Sequence, residues 1–206
     1  FFPQGGWLNP PSVVKRCLQH EAIQIVTSVS VTSITNNPNL ETDQAWSVVT
    51  QSNNSSPTQT PVQTLKADIV VVATGSLNED LNEKLGLPIR PVKGQVSHLD
   101  ESQQAYPLKY PLTHSGYSSP CGHGRAVTGA TFEAPDLGEV LSIEGHLTNL
   151  ETANKALPNW VKAPAESLQG RIAFRPTTPD HLPIFGAVPD SAWLQEAYLS
   201  QSHTHA

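Results

Sequence analysis

The chain has 206 residues, with 12 Lys and Arg against 18 Asp and Glu, and a net charge of −6 at pH 7. This balance excludes a basic nucleic-acid footprint spread over the whole chain and leaves a local one open. No apolar run is long enough to span a bilayer. Because the sequence contains no Met and begins with Phe, we expect a processed chain or a fragment. The two cysteines, Cys17 and Cys121, are expected to be free thiols in a reducing compartment.

The first fifty residues predict a helix followed by strands. Two prolines and the one-face spacing of the apolar residues after them predict a helix over about 11–20. Residues rich in Val, Ile and Thr predict one or two strands within 22–34, and a further strand at 46–49. The polar stretch 51–64 is predicted to be a mobile loop, because it offers little apolar surface to bury. We expect strands at 46–50 and 65–73 to pair around it.

A continuous β-branched run, ADIVVVA at 67–73, ends at Thr74 and Gly75. A strand that is apolar on both faces is typical of a parallel sheet covered on both sides. A ligand can then approach the backbone where the strand ends in small residues. An ordinary buried strand followed by a glycine turn is the alternative. A short helix with Leu77, Leu81 and Leu85 is expected next.

From Arg90 onward, short strands separated by turn residues predict a largely antiparallel sheet. An amphipathic helix over 146–157 is expected to bury Leu147, Leu150, Ala153 and Leu157. The expected strands are 95–99, 108–112, 117–119, 125–131 and 171–175.

Two side chains in this half are candidates for binding a small ligand. Tyr117 offers a ring and a hydroxyl, although it could equally be a buried tyrosine with a satisfied hydroxyl. Arg175 lies where a strand enters a loop rich in Pro and Thr, and a guanidinium is the group best suited to grip a carboxylate. A structural pair with Asp180 is the alternative for Arg175.

Several common motifs are missing from the sequence. The histidines have no zinc-ligand spacing, and no HExxH or CxxC occurs, so we expect no metal site. A serine nucleophile elbow is absent as well. No GxGxxG occurs, so this stretch lacks the usual phosphate-cradling turn of a dinucleotide fold.

Taken in order, several stretches resemble the D-amino-acid-oxidase-like FAD-dependent oxidoreductases, a superfamily that includes glycine and sarcosine oxidases. The resemblance extends from Phe2 to about Asp190. It is carried by PQGGWLNP, ADIVVVATG, RPVKGQVSH, GYSSP with GRAVTGATFE, and FRPTTPDHLPIFG.

The resemblance implies an α+β fold with α/β character. An incomplete Rossmann-like FAD-binding domain would accompany a mostly antiparallel substrate domain. Residues 1–9 would be a substrate-domain strand, 10–88 the middle of the FAD-binding domain and 89–185 the substrate domain. Residues 186–206 would begin the return to the FAD-binding domain and end in a tail.

The resemblance also implies FAD as cofactor and assigns roles to particular residues. Arg175 and Tyr117 would be the catalytic pair that holds a substrate carboxylate. The cofactor-binding residues would be Val31, Thr74, Gly75 and Gly186. Lys93-Gly94-Gln95 matches a segment at the domain crossing, where we expect a structural turn.

Within the superfamily, the motifs look closest to the flavin-dependent part of bacterial enzymes that modify the tRNA wobble uridine. This implies removal of the carboxymethyl group from carboxymethylaminomethyl-(2-thio)uridine, tRNA as partner, a methyltransferase domain in the full-length chain and a cytoplasmic location. The alternatives are an oxidase of free glycine-like or sarcosine-like amino acids, which fits the acidic charge better, and a non-catalytic binding module. We expect this stretch alone to bind FAD poorly.

Overall fold

The computed structural model describes most of the chain as two compact units. Unit 1 comprises Phe1–Cys17 and Ile89–Pro183, and unit 2 comprises Leu18–Pro88 and Ile184–Ala206. None of the described helices is both long and apolar enough to cross a membrane. The described residues are 2, 4–36, 45–53, 62–76, 78–134, 138–188, 190, 193 and 196–197.

The described residues of unit 2 include a three-stranded antiparallel sheet and the short helix that follows it. The strands β1 (Val29–Asn36), β2 (Trp46–Ser52) and β3 (Val62–Ala67) lie in the order β1-β2-β3. The expected pairing of the second and third strands is confirmed, with Trp46 opposite Ala67. Most of the predicted loop, residues 54–61, lies outside the described residues. The strand expected from residue 22 begins only at Val29.

The prediction of a doubly covered parallel strand at 67–73 is wrong for this structure. The chain leaves β3 at Ala67 and continues as irregular backbone, with Ile69 79 % and Val71 82 % exposed. Such a run becomes a strand only when other strands pair with it and a layer covers each face. None of the described strands lies beside it, so Ile69 and Val71 face solvent, while Val70 and Val72 are partly buried.

A short helix, α2 (Glu79–Lys84), follows this irregular segment. It begins at Asn78, whose side-chain oxygen accepts a hydrogen bond from the backbone N–H of Leu81 at 3.1 Å. This is the usual way of satisfying an orphan donor at a helix start. Leu81 is buried as the spacing predicts, whereas Leu77 lies outside the described residues.

Unit 1 is built on a five-stranded antiparallel sheet, which confirms the α+β class and the antiparallel prediction for this half. The strands are β4 (Arg90–Leu99), β5 (Leu112–Thr113), β6 (Tyr117–Gly122), β7 (Arg125–Gly129) and β8 (Gln169–Thr177). Their order in the sheet is β5-β6-β7-β4-β8. Strand β4 thus lies between β7 and β8, and it pairs with β8 over nearly its whole length. The strand expected at 108–112 is thus reduced to the two residues of β5.

Helix α1 (Pro10–Cys17) confirms the prediction of a helix after the two prolines. It groups with unit 1, although the resemblance placed residues from Pro10 onward in the other domain. Both cysteines, Cys17 and Cys121, are free and exposed.

Helix α3 (Ile143–Ala156) covers one face of the five-stranded sheet. At its far end the apolar core of unit 1 contains Trp160, with Leu150 and Leu157 packed against it. The other members of this core cluster are Leu99, Ala126, Ala153 and Leu168.

The predicted apolar face of α3 is only partly correct, because the helix is rotated toward its polar residues. Leu147 is 53 % exposed, whereas Gly145, His146 and Asn149 are buried. The sheet beneath them is itself polar. Asn149 Nδ2 donates to the Gln95 carbonyl at 3.0 Å and to Ser97 Oγ at 3.1 Å. Leucine at this contact would remove two hydrogen bonds of about 0.5–1.5 kcal/mol each, although the Gln95 carbonyl would keep the Thr131 backbone N–H at 3.0 Å and Ser97 Oγ would keep its 2.8 Å contact with His146.

Candidate functional site

The sheet face opposite α3 is open, and it carries both side chains that the sequence singled out as catalytic. Side chains of directly paired residues share a face, and so do alternate residues of one strand. Tyr117 pairs with Gly129, Gly129 with Val96, and Val96 with Arg171. Arg175 lies four positions beyond Arg171 on β8, so it shares the face with Tyr117 but stands three strands away.

Arg175 is held on this face by three neighbours. Its guanidinium lies 4.5 Å from the ring centroid of Phe132, and Nη1 donates to the Thr131 carbonyl at 3.2 Å. Beneath it is Gly94, where an added Cβ would lie 2.5 Å from Cζ. The guanidinium therefore occupies the space that any side chain at position 94 would need. It folds from β8 across β4 toward the segment that follows β7.

The alternative of a structural pair between Arg175 and Asp180 is not observed among the described residues. Asp180 instead accepts a hydrogen bond from the backbone N–H of Leu182 at 3.1 Å, and this bond is the main cause that lowers the pKa of its carboxyl group. Within the described part of the chain, the remaining N–H groups of Arg175 meet no acceptor. A guanidinium placed in this way is available to bind a carboxylate.

Tyr117 is also available to a ligand rather than buried. Its side chain is 40 % exposed, and its hydroxyl has no hydrogen-bond partner within the described ranges. Its backbone carbonyl accepts a hydrogen bond from Thr128 Oγ1 at 3.2 Å, which fixes the strand. Thr128 Oγ1 in turn contacts Ser118 Oγ at 2.9 Å on the covered side.

His98 lies on the same open face, two positions along β4 from Val96. Its pKa is lowered, chiefly by desolvation and then by the positive charges of Arg171 and Arg125, while Asp100 acts in the opposite direction. The imidazole is therefore held toward its neutral form. The sequence analysis assigned no role to His98, Arg125 or Arg171, because only the strand register brings them together.

The four predicted cofactor-binding residues all fall in unit 2. Two asparagines of α2 already bind the backbone of two of them: Asn78 Nδ2 donates to the Val31 carbonyl at 3.1 Å, and Asn82 Nδ2 donates to the Gly75 carbonyl at 2.9 Å. The hydroxyl of Thr74 donates to Asn82 Oδ1 at 3.4 Å.

The first three of these residues are thus gathered at α2, but Gly186 is not. It is exposed, and no described atom lies within 4 Å of an added Cβ. Its φ of 153° still restricts the position to glycine. No sequence pattern indicated the two asparagine contacts.

The segment Lys93-Gly94-Gln95 is not the predicted turn but the middle of strand β4. Lys93 is 1 % exposed and forms a 3.3 Å ion pair with Glu133. The pKa of Glu133 is lowered, first by a hydrogen bond from Thr131 and further by Lys93, against an opposing effect of burial. Two backbone hydrogen bonds, at 3.0 and 3.1 Å, also join residues 93 and 133. This pairing fixes the position of Thr131 and Phe132.

The sheet and its open face, with an arginine over a glycine, have the features expected of an FAD-dependent amine oxidoreductase. Residues 1–205 match the model of the DAO family, described as FAD dependent oxidoreductase, and the chain therefore belongs to this family. The resemblance drawn from the motifs is confirmed, and FAD is the cofactor of the family.

The chain is similar over its full length to proteins that bear a more specific name. It is 50 % identical over 212 residues to the tRNA 5-methylaminomethyl-2-thiouridine biosynthesis bifunctional protein MnmC of Hydrogenovibrio crunogenus, covering 100 % of the chain and 30 % of that protein. The protein of the same name from Chromobacterium violaceum is 31 % identical over 204 residues, covering 96 % of the chain and 29 % of its own length. The chain thus spans less than a third of the length of these relatives.

Solved structures with a similar fold include two glycine oxidases. That from Bacillus cereus has a TM-score of 0.55 and 23 % identity, covering 79 % of this chain and 41 % of its own. That from Geobacillus kaustophilus has a TM-score of 0.54 and 21 % identity, with coverages of 79 % and 40 %. At this level of identity the similarity establishes the fold alone.

Proposed function

We propose that the chain is part of an enzyme that oxidises an amine carrying a carboxymethyl group. The substrate is the carboxymethylaminomethyl side chain of the wobble uridine, with or without the 2-thio group, in tRNA. The observation that carries this proposal is the Arg175 guanidinium, held over Gly94 on an open sheet face with donors left for a carboxylate. The named relatives support the choice of tRNA, because their name concerns biosynthesis of 5-methylaminomethyl-2-thiouridine in tRNA.

Arg175 binds the substrate carboxylate through a charge-assisted hydrogen bond. The side chain is restrained by the Thr131 carbonyl and the Phe132 ring, so little rotamer entropy remains to be lost on binding. The strand register separates the Cα atoms of Tyr117 and Arg175 by about 20 Å, so the Tyr117 hydroxyl would contact the substrate away from the carboxylate rather than share that group with Arg175. Two contacts from different strands fix the substrate in one orientation, and with it the carbon between the amine and the carboxylate.

The open face fits the reactive ring of FAD in its chemistry. Phe132, 76 % exposed, and the Arg175 cation together offer an apolar surface with hydrogen-bond donors at its edge. When bound, FAD supplies the two-electron oxidation of the carbon between the amine and the carboxylate. The resulting substrate imine takes up water and releases the carboxymethyl arm as a two-carbon aldehyde acid, leaving the aminomethyl group on the uridine.

By the division of the family, unit 2 would be the middle of an FAD-binding domain and unit 1 would be the substrate domain. Thr74, Gly75 and Val31 would face the dinucleotide through backbone groups, although the carbonyls of Val31 and Gly75 already accept asparagine side chains. Gly186 would shape a loop near the flavin. The complete protein would be cytoplasmic and would carry a methyltransferase domain, consistent with the word bifunctional in the name of the relatives.

The substrate is tested by following flavin absorbance without oxygen in the complete flavin-loaded protein. We expect bleaching with tRNA that carries carboxymethylaminomethyluridine, and a product lighter by the two-carbon arm. The matched tRNA with an aminomethyl group at the same position should leave the flavin oxidised, because it offers Arg175 no carboxylate. Bleaching at an equal rate by free sarcosine would favour an oxidase of free amino acids, and bleaching by none of these substrates would favour a binding module.

A further inference from the structure

Unit 1 contains a groove of about 550 Å³ on its open face, and no role has yet been given to most of it. This volume lies within the range of about 300–1,000 Å³ typical of small-molecule sites. One wall is the segment Trp7–Pro10, and the floor comprises β4, β6, β7 and β8. We call it the basic groove and define it by five of its lining residues: Trp7, His98, Tyr117, Arg125 and Arg171.

The basic groove is locally positive, with two arginines against one carboxylate, although the chain as a whole carries −6. Arg125 and Arg171 are exposed, and both act on His98, so their fields converge on one place. Asp100 is the only carboxylate among the lining residues. From the strand register, the two arginine Cα atoms are about 16 Å apart, so each would meet a different anionic group.

Aromatic surface is present in the same groove. Trp7 is about half exposed, and the edge of its ring would be 3.9 Å from a Cβ added at Gly122, so it packs on the end of β6 with its indole still accessible. Tyr117, at the other side, is similarly exposed. Guanidinium groups that contact phosphates, together with aromatic rings on which bases stack, are the usual means of binding single-stranded RNA.

We propose that the basic groove binds the RNA strand next to the reacting nucleotide, with Arg125 and Arg171 on phosphates and Trp7 stacked on a base. This inference rests on the proposed function, because Tyr117 lines the groove and is also proposed to contact the substrate. It also accounts for how an acidic chain takes a polyanionic substrate: the charge that matters is local and lies beside the site of reaction.

Binding is tested with the complete flavin-loaded protein and a fluorescein-labelled anticodon stem-loop carrying an unmodified wobble uridine, measured by anisotropy over a series of salt concentrations. Arg125→Gln and Arg171→Gln should each weaken binding about tenfold at low salt. Each should also reduce the slope of log affinity against log salt by about 0.7 to 1, as expected when one phosphate contact is lost. Trp7→Ala should weaken binding about tenfold without changing the slope.

Lys155→Gln is the matched control. It removes one positive charge from α3, on the opposite side of the same sheet, where Lys155 makes only an exposed ion pair with Glu151. Its affinity and salt slope should equal those of the parent protein. The proposal is overturned if both arginine variants bind like Lys155→Gln, or if polyglutamate displaces the stem-loop as well as unlabelled RNA of equal charge does. Anisotropy measures RNA binding and needs no oxidation of the substrate. The binding result can therefore be interpreted even if the proposed oxidase activity is not observed.

Discussion

Replacement of Arg175 by alanine should slow flavin reduction by the carboxymethyl substrate at least about thirtyfold. The loss corresponds to about 2 kcal/mol, the usual contribution of a hydrogen bond to a charged group. Because the guanidinium lies on the surface of the sheet and makes no ion pair with Asp180 in the described structure, the fold should be retained. The measurement is anaerobic stopped-flow reduction of the flavin, together with the flavin content of the purified variant. Full activity in Arg175→Ala would refute the proposal that Arg175 binds the substrate carboxylate.

Gly94→Ala tests whether the position of the Arg175 guanidinium matters, without removing its positive charge. A Cβ at this position would overlap the guanidinium, so Arg175 would have to leave its place over the glycine. Gly94 lies within strand β4 rather than in a left-handed turn, so alanine is tolerated by the backbone. We expect a loss of activity close to that of Arg175→Ala, and no further loss when the two changes are combined. Arg175→Lys should restore only part of the rate, because lysine keeps the charge and loses the planar fork.

The antiparallel half of the fold was predictable because its information is local. Turn residues separate the strands from Arg90 onward, and β6, β7 and β8 were each anticipated within a few residues, whereas β4 begins at Arg90, ahead of the predicted start at Gln95. Arg175 and Tyr117 were chosen as candidates from their residue types and motifs, and both lie on the open face of the sheet. The register between strands could not be predicted from the sequence. Gly94 lies under Arg175 because β4 pairs with β8, and this pairing joins residues about 80 positions apart.

Two wrong predictions show what a hydropathy pattern alone does not determine: whether a strand has neighbours, and which face of a helix is buried. The run at 67–73 has the composition of a buried strand, yet a strand needs neighbours, and the described chain places none beside it. In α3 the leucine spacing favoured burial of Leu147, but the sheet below presents Ser97 and the Gln95 carbonyl, so the helix turns Asn149 inward. A hydropathy pattern shows how apolar a helix face is. It does not show whether the surface packed against that face carries polar groups that need hydrogen-bond partners.

The ion pair between Lys93 and Glu133 should contribute more to stability than the other pair in the described structure. Lys93 is buried, and its ammonium reaches Glu133 at 3.3 Å, whereas Lys155 and Glu151 form an exposed pair on α3. Removing one partner of a buried pair leaves a charge without its counter-charge in a medium of low dielectric constant. Glu133→Gln should therefore lower the opening free energy of β4 by about 3 kcal/mol at pH 7. Glu151→Gln, the matched control, should have no measurable effect.

The two variants are compared by amide hydrogen exchange of the β4 peptide in the complete protein, corrected for intrinsic rates at each pH. The folded pKa of Glu133 is lowered from 4.5. The stability that its carboxylate supplies is therefore present in full above that value and is lost as the pH falls through the folded pKa. The difference between parent and Glu133→Gln should accordingly shrink in acid. An equal effect of the two substitutions at pH 7 would contradict this account.

The same pair bears on catalysis, because residues 131 and 132 are held between β7 and Glu133. The Thr131 carbonyl accepts a hydrogen bond from Arg175, and the Phe132 ring contacts the Arg175 guanidinium. Loosening this segment should raise the KM for the carboxymethyl substrate in Glu133→Gln, since the guanidinium would sample more rotamers before binding. Arg175 itself stays present in that variant. A raised KM with intact flavin content would identify Glu133 as a positioning residue, whereas an unchanged KM would confine its role to folding.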